Sequence, residues 1–106
     1  MFILESNNSL TIVIPTVGRL SLVETLNCIN KSSILPEKVL VVVPKEYADS
    51  IDKMNLEYNW LKIIRTDFKG QVRQRIHGFS LSKTKYTIQL DDDCFIQKHC
   101  IKNLLI

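Results

Sequence analysis

The chain has 106 residues, of which 45% are hydrophobic and 24% are charged, and this composition is typical of one globular domain, not of a disordered or fibrous protein. The formal net charge of +3 is spread along the sequence without a long run of like charges, so it gives no indication of nucleic-acid binding. We therefore treat residues 1–106 as a single domain.

The cysteines and the N-terminus predict the cellular setting. Cys28, Cys94 and Cys100 are odd in number and lack CxxC spacing, which argues against a disulfide framework and favours a reducing, cytoplasmic setting. A zinc site at Cys94, His99 and Cys100 is a minor alternative, because structural zinc takes four ligands and only three candidates are present. The apolar residues 1–4 are too short for a signal peptide or a membrane span, so we expect no transmembrane segment.

The first part of the chain alternates strand, helix and strand. Residues 10–14 are an apolar, β-branched run that ends at Pro15, which predicts a buried strand. Capping-box spacing at residues 21–24, followed by apolar residues at helical intervals, predicts a helix up to Lys31. The four valines of residues 38–43 predict a second strand that is covered on both faces.

Two further helices are predicted by apolar residues spaced i, i+4 and i+7. The first set is Tyr47, Ile51 and Met54, and the second set, after Gly70, is Val72, Ile76 and Phe79. This spacing places the side chains of each set on one helical face. Strands are predicted at residues 61–65 and 86–90, and the last of them leads directly into three aspartates.

This alternation of four strands and three helices predicts an α/β fold with a doubly wound, mainly parallel sheet. Ligands of such sheets bind beyond the carboxyl ends of the strands, where the strand order reverses. If the order is 3-2-1-4, residues 15–19 after the first strand and residues 91–93 after the fourth flank one crevice.

Asp91, Asp92 and Asp93 form a crowded carboxylate group that is costly unless a cation neutralises it. Mg²⁺ and Mn²⁺ prefer oxygen ligands and usually combine one or two carboxylates with water and phosphate oxygens. In an extended chain Asp91 and Asp93 point to the same side, which predicts a Mg²⁺ or Mn²⁺ site that binds a diphosphate. The alternative is a solvated acidic turn.

Other phosphate-binding motifs are absent from the sequence. No GxxxxGK[ST] follows a strand and no GxGxxG opens a helix, which argues against a P-loop NTPase or a dinucleotide-binding domain. Four basic residues do cluster, and they either serve an anionic ligand or form a solvated surface. They are Arg65, Lys69, Arg73 and Arg75.

Three segments resemble family-2 glycosyltransferases of the GT-A fold. "TIVIPTVGR" at residues 11–19 resembles the first strand of that family and its exit. "GQVRQR" at residues 70–75 resembles the basic segment before the acidic motif, and "KYTIQLDDD" at residues 85–93 resembles the last strand and the DxD motif. The resemblance covers nearly the whole chain and implies the N-terminal, nucleotide-sugar-binding half of such an enzyme.

The resemblance also implies a role for each site residue. It implies that Asp93 is the direct metal ligand with support from Asp91, and that Asp91 and Asp92 hold the ribose and the metal-bound diphosphate. The implied nucleotide-sugar pocket also includes Pro15, Thr16, Arg19, Gln71 and Arg75. For Arg19 and Arg75 the alternative is an ordinary solvated or paired surface arginine.

The implied activity is that of a glycosyltransferase of the hexosyltransferase type. Such an enzyme transfers a sugar from a nucleoside diphosphate, with UDP the most frequent carrier, to a hydroxyl of a saccharide or glycan acceptor, here expected with inversion. The sequence departs from the family at Pro44-Lys45-Glu46, where a base-binding aspartate is common, and at Arg75-Ile76, where the family has Arg-Asn. The identity of the nucleobase therefore stays open.

The catalytic base is unknown. The chain ends about one helix after the aspartates, and neither His77 nor His99 is predicted to be the base, so we expect the 106 residues alone to be inactive. Two alternatives stay open. One is a non-catalytic module that binds a nucleotide sugar or a divalent cation. The other is a Toprim-like phosphoryl-transfer domain, although that would need a glutamate where this chain has Pro15-Thr16.

Overall fold

The computed structural model describes residues 9–105. They contain one four-stranded parallel sheet. The strands are β1 (Leu10–Pro15), β2 (Lys38–Pro44), β3 (Leu61–Thr66) and β4 (Tyr86–Gln89). Their order is β3-β2-β1-β4, and every neighbouring pair is parallel. The predicted α/β fold and the 3-2-1-4 order are therefore confirmed. The apolar residues 1–4 lie outside the described part of the chain.

Helices connect the strands. Those in residues 9–105 are α1 (Ser21–Asn30), a 3-10 turn (Lys45–Tyr47), α2 (Ala48–Asp52), α3 (Gln71–Leu81) and α4 (Cys100–Leu104). α2 ends before Met54, which still packs against the core from the loop that follows. Across these same residues, no helix is long and apolar enough to cross a membrane.

The larger core lies on one face of the sheet. Alternate strand residues such as Ile12, Ile14 and Val41 are fully buried against α1, α2 and α4. Leu26 of α1 and Ile101 of α4 belong to the same core. The alternation places every second side chain of a strand on this face. The same pleat directs the remaining strand residues to the opposite face.

On that opposite face, α3 covers a smaller cluster of Val13, Leu40 and Val42. The helix approaches closely because Gly78 has no side chain, since a Cβ at this position would lie 2.4 Å from Val13 Cγ1 and 3.1 Å from Val42 Cγ2. This close approach sets the N-terminus of α3 beside the carboxyl ends of β1 and β2.

The strand register brings the aspartates to the end of β1. Val13 is the register partner of Gln89, and the N–H of Leu90 donates to the carbonyl of Val13 at 2.9 Å. Residues 91–93 therefore leave the sheet beside the residues that follow β1, the first of which is Thr16. The carboxyl ends of β1 and β4 and the start of α3 meet at one edge of the sheet.

Candidate functional site

Asp92 is the buried member of the aspartate triplet. The chain turns after β4, with a hydrogen bond of 3.2 Å from the N–H of Cys94 to the carbonyl of Asp91. Asp92 is only 5% exposed, whereas Asp91 and Asp93 are exposed. The extended conformation expected for these residues is therefore wrong, and burial rather than strand alternation distinguishes Asp92 from its neighbours.

Three side chains from the first part of the chain hold Asp92 in this turn. The hydroxyl of Thr16 donates to Oδ2 at 2.5 Å, and the Nε of Arg19 donates to Oδ1 at 3.0 Å, with a second bond from Nη2. The hydroxyl of Thr25 donates to the carbonyl oxygen of Asp92 at 2.8 Å. A buried carboxylate needs both charge compensation and hydrogen bonds, and Thr16 and Arg19 supply them.

Arg19 extends from this buried anchor toward solvent. Its side chain is 56% exposed, and its Nη2 lies 3.3 Å from Oδ2 of Asp93. The hydrogen bond to Asp92, followed by the charge of that carboxylate, raises the pKa of Arg19. The guanidinium is therefore a fixed positive charge at the edge of the sheet.

A cavity of about 320 Å³ opens at this edge. Its lining consists of Pro15, Thr16, Val17, Arg19, Lys69, Gly70, Gln71, Gln74 and Asp92. Pro15, Thr16, Arg19, Gln71 and Asp92 were all predicted from the sequence as pocket residues, and the structure brings these five together. No sequence signal marks Val17 or Gln74 as a member of the lining.

A second part of the cavity wall is also positive. Lys69 lines the cavity, and its Nζ lies 2.9 Å from the hydroxyl of Tyr47, a hydrogen bond that raises the pKa of Lys69. α3 begins next to it, and Gly70 at the N-cap has no side chain to cap the helix and adopts a φ of 145° that favours glycine. A helix N-terminus carries partial positive charge, so this wall is complementary to an anion.

Two members of the basic cluster have partners elsewhere. Arg65 pairs with Asp52 at 2.9 Å, and the guanidinium of Arg73 lies 4.4 Å from the centroid of the Phe68 ring. Neither lines the cavity. For these two arginines the structure agrees with the surface alternative.

Arg75 also lies outside the cavity lining and acts on the aspartates indirectly. Its Nη1 donates to Oε1 of Gln89 at 3.4 Å, and the Nε2 of Gln89 donates to Oδ1 of Asp91 at 2.7 Å. This chain of hydrogen bonds orients the Asp91 carboxylate. Arg75 therefore reaches Asp91 only through Gln89, and it does not line the pocket predicted to hold the nucleotide.

Asp91 and Asp93 are the carboxylates that remain open to a cation. Within residues 9–105, Oδ2 of Asp91 and Oδ1 of Asp93 accept no hydrogen bond. The same residues contain no group of three His, Cys, Asp or Glu side chains arranged as a metal site. Mg²⁺ and Mn²⁺ often use only one or two protein carboxylates and take their other ligands from water and phosphate, so this pair fits such an ion.

The cysteines are free thiols. Burial, and after it the charge of Asp91, raises the pKa of Cys94. His99 instead contacts a hydroxyl, with its Nδ1 3.0 Å from Oγ of Ser33. The geometry thus gives no support to the zinc alternative at Cys94, His99 and Cys100.

A family model described as "Glycosyl transferase family 2" matches residues 11–105. The chain belongs to glycosyltransferase family 2. A search of the curated proteins found no significant match. The fold of this family-2 chain is similar to that of residues 1–349 of TarS from S. aureus, with a TM-score of 0.73 and 19% identity over 91% of this chain and 31% of that one.

Two more TarS structures show the same likeness. The complex of TarS 1–349 with UDP-GlcNAc matches with a TM-score of 0.72 and 19% identity, covering 91% of this chain and 30% of that one. A further TarS structure matches with the same TM-score and identity, over 91% of this chain and 18% of the other. The family-2 chain therefore spans about a third or less of the length of these structures, and at this identity the likeness shows the fold.

Proposed function

We propose that this chain is the donor-binding part of a family-2 glycosyltransferase and that it binds a nucleoside-diphosphate sugar, with UDP as the favoured carrier, together with Mg²⁺ or Mn²⁺. One observation carries the proposal. At the edge where β1, β4 and α3 meet, the buried Asp92 holds Arg19, which lines the cavity and lies 3.3 Å from the exposed carboxylate of Asp93. The presence of UDP-GlcNAc in a TarS structure of the same fold supports the choice of donor.

The positive groups of the cavity are suited to the diphosphate. Arg19, Lys69 and the N-cap Gly70 of α3 all line the cavity. Guanidinium groups and helix N-termini are both common phosphate-binding elements. In this proposal the diphosphate binds to these groups.

Asp93 and Asp91 would hold the cation, which when bound supplies charge neutralisation for the leaving diphosphate. The role implied for Asp92 changes in this proposal. Both oxygens of its carboxylate already accept hydrogen bonds from Thr16 and Arg19, so we assign it to positioning Arg19 instead of holding the ribose.

The proposed reaction is transfer of the sugar to a hydroxyl of a saccharide or glycan acceptor, with inversion. Such a step needs a base that deprotonates the acceptor hydroxyl. His77 lies edge-on to the Phe68 ring and His99 lies beside Ser33, so neither faces the cavity. A non-catalytic nucleotide-sugar-binding module is the second candidate, because neither histidine of the chain lines the cavity. The family match leaves no support for the Toprim-like alternative.

Calorimetry of the purified chain tests the proposed function. UDP, GDP, CDP and UDP-GlcNAc are titrated in the presence of Mn²⁺, with Arg19→Ala as the site variant. Arg73→Ala is the matched control, because Arg73 is a nearby arginine outside the cavity lining. We expect UDP and UDP-GlcNAc to bind, with Arg19→Ala weakening the affinity about 10- to 100-fold and Arg73→Ala changing it less than about twofold. Absence of nucleotide binding, or an equal loss in both variants, would contradict the proposal.

A further inference from the structure

Gln74 is a fully buried amide whose polar atoms all have partners. It is 2% exposed, although it lies on a helix next to the cavity. Its Nε2 donates to the carbonyl of Thr16 at 2.9 Å and to that of Val42 at 2.7 Å. Its Oε1 accepts the N–H of Gly70 at 3.2 Å, while its own N–H donates to the carbonyl of Gly70 at 2.8 Å.

These partners belong to three different segments of the fold. Thr16 follows β1, Val42 lies near the end of β2, and Gly70 precedes α3. The carbonyl of Val42 also accepts the N–H of Thr16 at 3.0 Å. One side chain therefore ties the carboxyl ends of two strands to the start of a helix.

The same contacts connect Gln74 to the groups that face the cavity. Thr16, held through its carbonyl, donates its hydroxyl to Asp92, and Asp92 in turn holds Arg19. Gly70, held through its N–H, also lines the cavity, next to Lys69 in the chain. Gln74 therefore links two segments of the cavity wall, one at Thr16 and one at Gly70.

We propose that Gln74 is a positioning residue that fixes the spacing of the Thr16 and Gly70 walls for the diphosphate. This inference rests on the proposed function. An apolar side chain of similar length would leave the Thr16 carbonyl without the Gln74 donor and the Gly70 N–H without its acceptor, while the Val42 carbonyl would keep the N–H of Thr16. Because unpaired buried polar groups move toward water or other partners, the cavity wall would shift at both Thr16 and Gly70.

Ile29 provides a matched control for a purely structural role. Its side chain is fully buried in α1, in the core on the face of the sheet opposite α3. It does not line the cavity. Ile29→Val therefore loosens the packing of a buried side chain without removing a contact that reaches the cavity walls.

The experiment compares Gln74→Met with Ile29→Val by calorimetry with UDP and Mn²⁺, at a temperature where circular dichroism shows that both variants are folded. We expect Gln74→Met to weaken UDP binding about tenfold or more and Ile29→Val to change it less than about twofold. Unchanged affinity in Gln74→Met, or an equal loss in Ile29→Val, would overturn the proposal.

A second measurement on the unliganded wild-type chain covers the cases in which Gln74→Met does not fold or the chain binds no nucleotide. NMR should show slow exchange of the Gln74 side-chain amide protons and of the Gly70 N–H, in contrast to the exposed side-chain amide of Gln71. Exchange of the Gln74 amide as fast as that of Gln71 would show that the hydrogen bonds of Gln74 to Thr16, Val42 and Gly70 are not formed, and would overturn the proposal. Slow exchange together with absent UDP binding would support these hydrogen bonds and contradict the proposed function alone.

Discussion

Three adjacent aspartates have two different environments in this chain. Asp92 is buried and compensated by Thr16 and Arg19, whereas Asp91 and Asp93 are exposed and retain carboxylate oxygens without hydrogen bonds from the described residues. Stability should therefore depend mainly on Asp92, and cation binding mainly on Asp91 and Asp93. Substitution of each residue can separate the two effects.

We expect Asp92→Asn to lower the free energy of unfolding by about 1–3 kcal/mol, because the neutral amide cannot accept all of the hydrogen bonds that the carboxylate receives in a buried position. Asp93→Asn, at an exposed position, should change it by less than about 0.5 kcal/mol. Urea unfolding followed by circular dichroism measures both. Equal losses in the two variants would show that Asp92 is not the anchor of this turn.

The environment of Asp92 was not predictable from local sequence. Its partners Thr16, Arg19 and Thr25 are separated from it by 76, 73 and 67 positions in the chain, so only the tertiary fold brings them together. The strand before the triplet could be predicted, because it depends on local alternation and β-branched residues. The turn that follows depends on these distant contacts and could not.

The apolar spacing on α3 predicted the helix but did not predict which face of the helix is buried. Val72, Ile76 and Phe79 are 57%, 61% and 42% exposed, and the face toward the sheet carries Gln74 and Gly78. The strands were easier to predict because continuous apolar runs are typical of a sheet covered on both faces. A glycine and a glutamine give no hydrophobic signal, although one allows close packing and the other supplies buried hydrogen bonds.

We expect Gly78→Ala to destabilise the chain by about 1–3 kcal/mol, since the added methyl must displace Val13 or move the helix away from the sheet. Thermal unfolding compares it with Ser80→Ala, an exposed position on the same helix, which should be nearly neutral. If Gly78→Ala has the stability of the wild type, α3 does not pack as closely on β1 as the structure indicates.

Across the whole molecule, neither of the two histidines lines the cavity, and the Asp92 carboxylate that does line it is held by Thr16 and Arg19. General-base assistance usually contributes about 10²–10⁴-fold, and acceptor positioning adds more. We therefore expect the 106 residues with Mn²⁺, UDP-GlcNAc and candidate acceptors to release UDP slowly at most and to form no glycosylated product. Acceptor-dependent turnover near about 1 s⁻¹ would contradict this expectation, and His77 and His99 would then be the first residues to substitute.

The proposed ligand depends on three side chains, those of Arg19, Asp91 and Asp93. We expect a nucleoside diphosphate and a divalent cation to bind together, because the open carboxylates would otherwise repel the diphosphate. Because these charges are exposed, the effect of the cation on UDP affinity should be strongest at low ionic strength. Asp93→Ala should accordingly reduce the effect of the cation on UDP affinity.

The most direct test is the affinity of the wild-type chain for UDP measured by calorimetry with Mn²⁺ and again with EDTA. We expect clear binding with Mn²⁺ and a loss of about tenfold or more in affinity when the cation is removed. Equal affinity under the two conditions would contradict the proposed metal-dependent binding of the diphosphate.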